Sequence, residues 1–210
     1  MEAVKIKYVG HACFKLTYHG TEIVLDPYED GFVEEFAPVR EDAHYVFCSH
    51  DHYDHNHVAA VSLHPVTAGT PFTVDQLEIP HDDAGGSKRG MNTIRIFTFG
   101  DIKIAHMGDA GRVLTQEEAA RLAGLDCILI PVGGFYTIDA KEAKFIIEQT
   151  NPRVVVPMHY RSSDRGVADI STLEPFVAMM DNVNYGDSEV ELSKDTPAQV
   201  LVLKQAALRA

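Results

Sequence analysis

His50-Asp51-His52-Tyr53-Asp54-His55 reads H-x-H-x-D-H, and it follows directly on residues 45–49, an apolar run with the pattern of a short buried strand. At a strand tip the side chains of i and i+2 point the same way, so His50 and His52 present to one place. The turn that follows brings Asp54 and His55 to a second place close by. One hexapeptide thus offers ligands to two adjacent cations. A chance match to this pattern is expected on the order of once in several hundred chains of similar histidine and aspartate content, which sets it above a merely solvated turn. Histidine is also concentrated here, since five of the 11 fall between His44 and His57, and clustered imidazoles point to metal.

Six residues cannot close a two-metal site, so further ligands must come from other strand ends. Working outward, residues 73–80, 102–106 and 153–157 have strand patterns, and each opens into a loop carrying a candidate: His81, Asp109 and His159. Upstream, residues 4–9, 13–17 and 22–25 read as a meander whose second turn is Tyr18-His19-Gly20-Thr21. The acidic stretch 29–42, with Pro38, reads as a solvated loop able to overhang a site. Residues 93–99 and 102–106 flank the turn dipeptide Gly100-Asp101. Thr115-Gln116-Glu117-Glu118 has the form of a capping box and opens a helix that Gly124 closes. Then come a buried strand at 127–132, an amphipathic helix at 139–150 stopped by Asn151-Pro152, and a third helix at 172–181. Strands in hairpins followed by helix–strand alternation predict a sheet sandwich covered by helices, formed by residues 1–210 as one domain.

Composition narrows the functional classes. A chain of 210 residues with 45% hydrophobic side chains can bury a full core, which excludes disorder and small disulfide scaffolds. A net charge of −13 argues against nucleic acid or anionic membrane partners. Cys13, Cys48 and Cys127 are odd in number and sit in apolar runs, so no disulfide framework is indicated. Charges at Glu2, Lys5 and Lys7 break any signal peptide, and no apolar run approaches the ~20 residues of a membrane span. A cytoplasmic location is the expectation.

The H-x-H-x-D-H block, Leu25-Asp26-Pro27 before it, and His106-Met107-Gly108-Asp109 and Pro157-Met158-His159 after it resemble the metallo-β-lactamase superfamily over roughly residues 8–160. His81-Asp82-Asp83, Lys88-Arg89-Gly90 and 131–136 (PVGGFY) are similar to its compact cytoplasmic members akin to the ascorbate-6-phosphate lactonase group. The resemblance implies an α/β fold, a four-layer αββα sandwich. It implies His50, His52 and His81 on one metal, Asp54, His55 and His159 on the other, and Asp109 bridging them. His106 competes with His81 for the third histidine position; His81 is preferred because in the family that ligand precedes a hairpin which the bridging carboxylate ends. His52, where the resembling di-iron oxygen reductases have Glu, favours hydrolysis over redox chemistry. Asn56-His57, in place of a glycine pair, argues against a close glyoxalase II relationship.

Such a ligand set implies two divalent cations, Zn or Mn first with Fe and Co permitted, which activate a shared water and polarise the carbonyl or phosphoryl group that it attacks. Asp54 is the candidate catalytic acid/base. Around this set, His11, Asp26 and His106 are candidates for holding ligands in place. Lys88, Arg89 and Arg161 are candidates for clamping a substrate anion, and Tyr136 for the developing oxyanion. His19, His44, His57 and His64 carry no site argument. The expected activity is hydrolysis of a small anionic ester or lactone, with a sugar-phosphate lactone leading. The rivals are a phosphodiesterase or nuclease using the same metals, and a non-catalytic metal- or metabolite-binding module.

Overall fold

Apolar residues alternate along the first three strands, and that alternation decides what the molecule is built around. A computed structural model describes residues 2–66 and 69–209. β1 (Ala3–Gly10), β2 (Cys13–Tyr18) and β3 (Thr21–Leu25) form an antiparallel meander. Val4, Ile6, Tyr8, Phe14, Leu16, Ile23 and Leu25 lie buried in one core. The β2–β3 turn places His19 at φ 48° and Gly20 at φ 76°, the positive pair that a two-residue hairpin of matching twist requires. β4 (Glu41–Ala43) pairs with β6 (Val61–Leu63) as a small separate ladder, while β5 (Tyr45–Phe47) runs parallel to β3. β13 (Glu189–Ser193) closes the other edge, giving a five-stranded sheet of order β13-β1-β2-β3-β5.

The second sheet is seven-stranded. β7 (Thr73–Pro80), β8 (Met91–Phe99) and β9 (Ile102–His106) are antiparallel. β10 (Cys127–Pro131), β11 (Val154–Met158), β14 (Gln199–Leu203) and β12 (Val183–Gly186) continue it in parallel. β10 and β11 are buried along their whole length, as continuous apolar strands covered on both faces must be. The capping boxes Thr115/Glu118 and Asp139/Glu142 open α1 (Gln116–Arg121) and α2 (Ala140–Thr150). α2 stops at Asn151 in the left-handed conformation and rests on β10. The result is the α/β sheet-on-sheet arrangement that the resemblance implies, with α2 on the second sheet and α1 and α3 (Glu174–Val177) against α2.

Three local expectations change. The third helix, α3, is only Glu174–Val177, where the sequence predicts 172–181. The stretch 29–42 is not simply solvated: Val33, Phe36 and Val39, with Tyr28 just before it, pack on Val9, Cys13 and Val24, covering the outer face of the first sheet with a second small core. Finally, β12, β13 and β14 form from residues that the sequence reading leaves unassigned. No helix among the described residues is long and apolar enough to cross a membrane.

Strand direction positions the site. β1 and β3 are both antiparallel to β2, and β5 is parallel to β3, so all three end on one side. In the second sheet β7, β9, β10 and β11 likewise share a direction. Backbone bonds join the two sets of ends: His159 N donates to His11 O (3.0 Å) and Thr93 N to Ser49 O (2.9 Å). Loops after seven strands therefore converge at the carboxyl ends, where open α/β sheets bind ligands.

Candidate metal centre

Six of the seven converging loops deliver the polar side chains of the site. His11 follows β1, Asp26 follows β3, the H-x-H-x-D-H block follows β5, His81 follows β7, Asp109 follows β9 and His159 follows β11. His11, Asp26, His55, His81, Asp109 and His159 are all at most 2% exposed. His11, Asp26 and His159 have φ of 56°, 44° and 51°, a left-handed backbone costing a non-glycine residue about 1–3 kcal/mol when strained. The surrounding bonds hold it: Tyr8 Oη donates to His11 O (2.8 Å) and His11 N to Gln205 Oε1 (2.9 Å).

Asp109 Oδ2 lies at the centre, 3.2 Å from His55 Nε2, 3.3 Å from His159 Nε2, 3.4 Å from His81 Nε2 and 4.0 Å from His50 Nε2. Potential ligand atoms of His50, His52 and His81 gather within 4.8 Å of one another, as do those of His11, Asp54, His55 and His159, and those of His50, His55 and Asp109. All seven residues proposed as ligands from sequence are thus brought together, with His11 beside them.

Asp26 orders the imidazoles. Its Oδ2 accepts from His55 Nδ1 (2.8 Å) and Ser49 Oγ (2.6 Å), and its Oδ1 accepts from Ser49 N (2.7 Å). Because the Ser49 hydroxyl donates to Asp26, it accepts from His50 Nδ1 (2.9 Å). Both His50 and His55 therefore carry a proton on Nδ1, an assignment made from hydrogen-bond partners, with His50 Nε2 facing His52 Nδ1 (3.0 Å) and His55 Nε2 facing Asp109 Oδ2 (3.2 Å). His106 is excluded by the same reasoning. Its Nε2 donates to Ala12 O (2.9 Å) and its Nδ1 accepts from Gly108 N (3.2 Å), leaving nothing for a cation. Asp54 Oδ2 accepts from His11 Nε2 (3.0 Å), so that nitrogen is protonated as well.

Several buried atoms have no hydrogen-bond partner: His55 Nε2, His159 Nε2 and Asp109 Oδ1. Buried polar groups are normally paired, and nitrogen lone pairs around a carboxylate need a cation to pair with. The electrostatics agree. Burial opposes the charged form of His55, yet Asp109, Asp54 and Asp26 overcome it and hold His55 well above the usual imidazole value. Burial likewise opposes the charge of Asp109, and His159 and His55 keep its carboxyl well below the usual range. Burial pushes His50 down to about 3 and His11 to about 4, neutral forms at physiological pH. Orphaned buried nitrogens and a carboxylate oxygen, in groups of histidine and aspartate atoms lying within 4.8 Å of one another, fit a divalent metal.

Close approach fixes the loops. A Cβ on Gly111 would fall 2.1 Å from Asp82 N and 2.2 Å from His81 C, and one on Gly133 would fall 2.2 Å from His159 O. Gly111→Ala is expected to displace the His81 backbone and cost about 1–3 kcal/mol, lowering Tm by roughly 2–12 °C in a chain of this size. Thermal melting checks this, and an unchanged Tm would mean that the loop yields freely.

A cleft of about 290 Å³ opens over the centre, lined by His11, His52, Asp54, His81, Asp109 and His159 below and by Phe32, Tyr53, Arg89, Tyr136, Val167 and Ile170 above. Arg89 and Tyr136 thus reach the cleft as the sequence suggested. Lys88 does not, pairing instead with Asp83 (2.7 Å) on the surface, and Arg161 faces a neighbouring groove beside Gly133 and Gly134. His19 and His44 lie in turns or backbone contacts away from the centre, while His57 and His64 do not line this cleft. Sequence reasoning did not find Ser49, Asn92, Gln205 or the walls Phe32, Tyr53, Val167 and Ile170. Asn92 Oδ1 accepts from Asp109 N (2.8 Å), a role no motif signals.

A family model described as "Beta-lactamase superfamily domain" matches residues 5–159. A UPF0173 protein of Pyrococcus furiosus is 31% identical over 182 residues, covering 75% of this chain and 83% of that one. A UPF0173 metal-dependent hydrolase of Carboxydothermus hydrogenoformans is 26% identical over 207 residues, covering 81% and 91%. A Thermotoga maritima structure, described as a Zn-dependent hydrolase of the metallo-beta-lactamase superfamily, is 30% identical with a TM-score of 0.76, covering 95% of this chain and 98% of that one. With its family domain, its sheet-on-sheet fold and its histidine–aspartate centre agreeing, the chain belongs to the metallo-beta-lactamase superfamily of hydrolases.

Proposed function

We propose that the chain is a dinuclear metal-dependent hydrolase of a small anionic ester or lactone. The observation that carries this reading is Asp109 Oδ2, set within 4.0 Å of Nε2 of His50, His55, His81 and His159 as a bridging carboxylate would be. His50, His52 and His81 would hold one ion, and Asp54, His55 and His159 the other. Bound there, two cations would supply an activated water and a polarised carbonyl oxygen.

The chain's own groups do the rest. Asp54 orients the attacking water and carries its proton to the leaving group, while His11, donating from Nε2, keeps that carboxylate aimed. Asp26 keeps His50 and His55 in the ligating tautomer. The apolar cleft walls exclude bulk water and so strengthen these interactions. Zn leads as the metal, in keeping with the description of the Thermotoga maritima relative, with Mn next and Fe or Co compatible with a sulfur-free ligand set. Three free thiols suit a reducing cytoplasm.

The test is metal stoichiometry by plasma mass spectrometry on tag-free protein purified without chelator and again after reconstitution. About two ions per chain are expected, together with turnover in a panel of esters, lactones including a sugar-phosphate lactone, and bis(p-nitrophenyl) phosphate. Absence of metal in both preparations would overturn the reading, and turnover of the phosphodiester alone would replace it with phosphoryl chemistry.

A further inference from the structure

The cleft over the centre has an uneven chemistry. Phe32, Tyr53, Tyr136, Val167 and Ile170 give it an apolar wall, and Phe32 and Tyr53 stand exposed at its mouth with ring centroids 6.0 Å apart. Exposed aromatic rings at the rim of a pocket mark a surface meant to be covered by a ligand. The one arginine or lysine among the described lining residues is Arg89. In a chain of net charge −13 that guanidinium has no carboxylate partner among the described residues, whereas Arg40, Arg112, Arg121 and Arg153 each pair with one. It lies 5.1 Å over the ring of Tyr136.

Arg89 is also held from behind. Asp82, 2% exposed, accepts backbone N–H bonds from Ala84, Gly86, Lys88 and Arg89 at 2.8–2.9 Å. Asp82 directly follows His81, so the loop carrying the guanidinium is tied to the same turn as the centre. A single fixed cation beside hydrophobic rings matches one carboxylate on an apolar body, since a guanidinium fork pairs with a carboxylate in a defined geometry. It matches a polyol phosphate poorly, because the wall would leave several hydroxyls without partners.

Resting on the hydrolase reading above, we infer that the substrate is an ester or lactone with an aromatic or branched-aliphatic body and one free carboxylate, the carboxylate seated on Arg89 and the body against Phe32, Tyr53 and Tyr136. Water adds across the acyl C–O bond, which breaks to give a carboxylic acid and an alcohol, the water's proton going to the departing oxygen.

The test compares four probes on the metal-loaded protein: phenylsuccinic acid monoethyl ester (ring and carboxylate), ethyl 3-phenylpropionate (ring alone), monoethyl succinate (carboxylate alone) and 6-phosphogluconolactone. The first is expected to lead in kcat/KM by about 10-fold or more. Arg89→Gln should lose about 10–100-fold, chiefly in KM, on that probe and little on ethyl 3-phenylpropionate, as loss of a charge-assisted hydrogen bond requires. Phe32→Ala should weaken both ring-bearing probes. Lys88→Gln, outside the cleft, is the control and should change neither. Calorimetric binding of phenylsuccinate to the metal-loaded protein and to Arg89→Gln gives a readout independent of turnover. Hydrolysis with no preference for ring plus carboxylate, or an Arg89→Gln loss equal on charged and neutral probes, overturns this inference and leaves the hydrolase reading standing. Arg89-dependent binding of phenylsuccinate without hydrolysis of any probe supports the ligand class and overturns the hydrolase reading. Absence of both binding and hydrolysis overturns the two together.

Discussion

Asp109→Ala is expected to empty both halves of the centre together. Its Oδ2 is shared by imidazoles that belong to both proposed ligand groups, His81 and His50 on one side and His55 and His159 on the other. Removing it therefore weakens each ion and also removes the group that holds the two in register. Metal-ion stabilisation of a transition state is worth several kcal/mol; about 4 kcal/mol converts to roughly 10³-fold in rate. We expect fewer than about one ion per chain and a loss of kcat/KM on the order of 10³-fold or more. His52→Ala is the comparison, because His52 belongs to one cluster only and its loss should empty one position preferentially. Metal analysis and kinetics on the same preparations decide the matter. An Asp109→Ala protein that keeps one ion at full occupancy would assign the carboxylate to a single metal.

Asp26→Ala attacks the scaffold of the site. It strips three donors of their acceptor at once: His55 Nδ1, Ser49 N and Ser49 Oγ. Each buried group left unpaired costs about 1–3 kcal/mol, and with incomplete additivity the total is several kcal/mol, a large share of the ~5–15 kcal/mol that holds a domain together. His50 is affected through Ser49, so the tautomers of two proposed ligands relax together, and metal affinity should fall about 10–100-fold. Asp26→Asn, close in volume and still able to accept through its carbonyl oxygen, should fall between the two. Melting temperature and competitive metal titration read the two effects separately. An Asp26→Ala protein that melts normally and binds metal as tightly as the parent would show that something else sets the imidazole tautomers.

Much of this architecture was legible in the chain, for reasons that can be named. H-x-H-x-D-H is local, so six consecutive residues carry it, and His81, Asp109 and His159 announce themselves by following strand patterns. Thr115 and Glu118 are three residues apart, close enough for pattern to fix a helix start, and the apolar face of 139–150 with its Asn151-Pro152 stop marks the second helix. What escaped is non-local or weakly patterned. Gln205 meets His11 across 194 residues and Asn92 meets Asp109 across 17, through side-chain to backbone bonds with no periodicity. Acidic residues masked the apolar positions Val33, Phe36 and Val39, so 29–42 read as solvated although these residues pack on the first sheet. β12 and β13 are short runs of four and five residues whose pairing with β14 and β1 supplies what their own sequences lack. Glu174-Pro175 opens a helix that closes after one turn at Val177, shorter than the 172–181 expected.

The converging strand ends make the centre a tie between the two sheets. Side chains from after β1, β3 and β5 meet those from after β7, β9 and β11 around one carboxylate, spanning residues 11 to 159 of a chain whose three cysteines are unlinked. Metal bound there would do for this molecule what a disulfide does for a secreted one, closing a loop of more than a hundred residues and cutting the freedom of the unfolded chain. The reacting centre and the principal cross-link would then be the same object, so losing a ligand would cost activity and stability together.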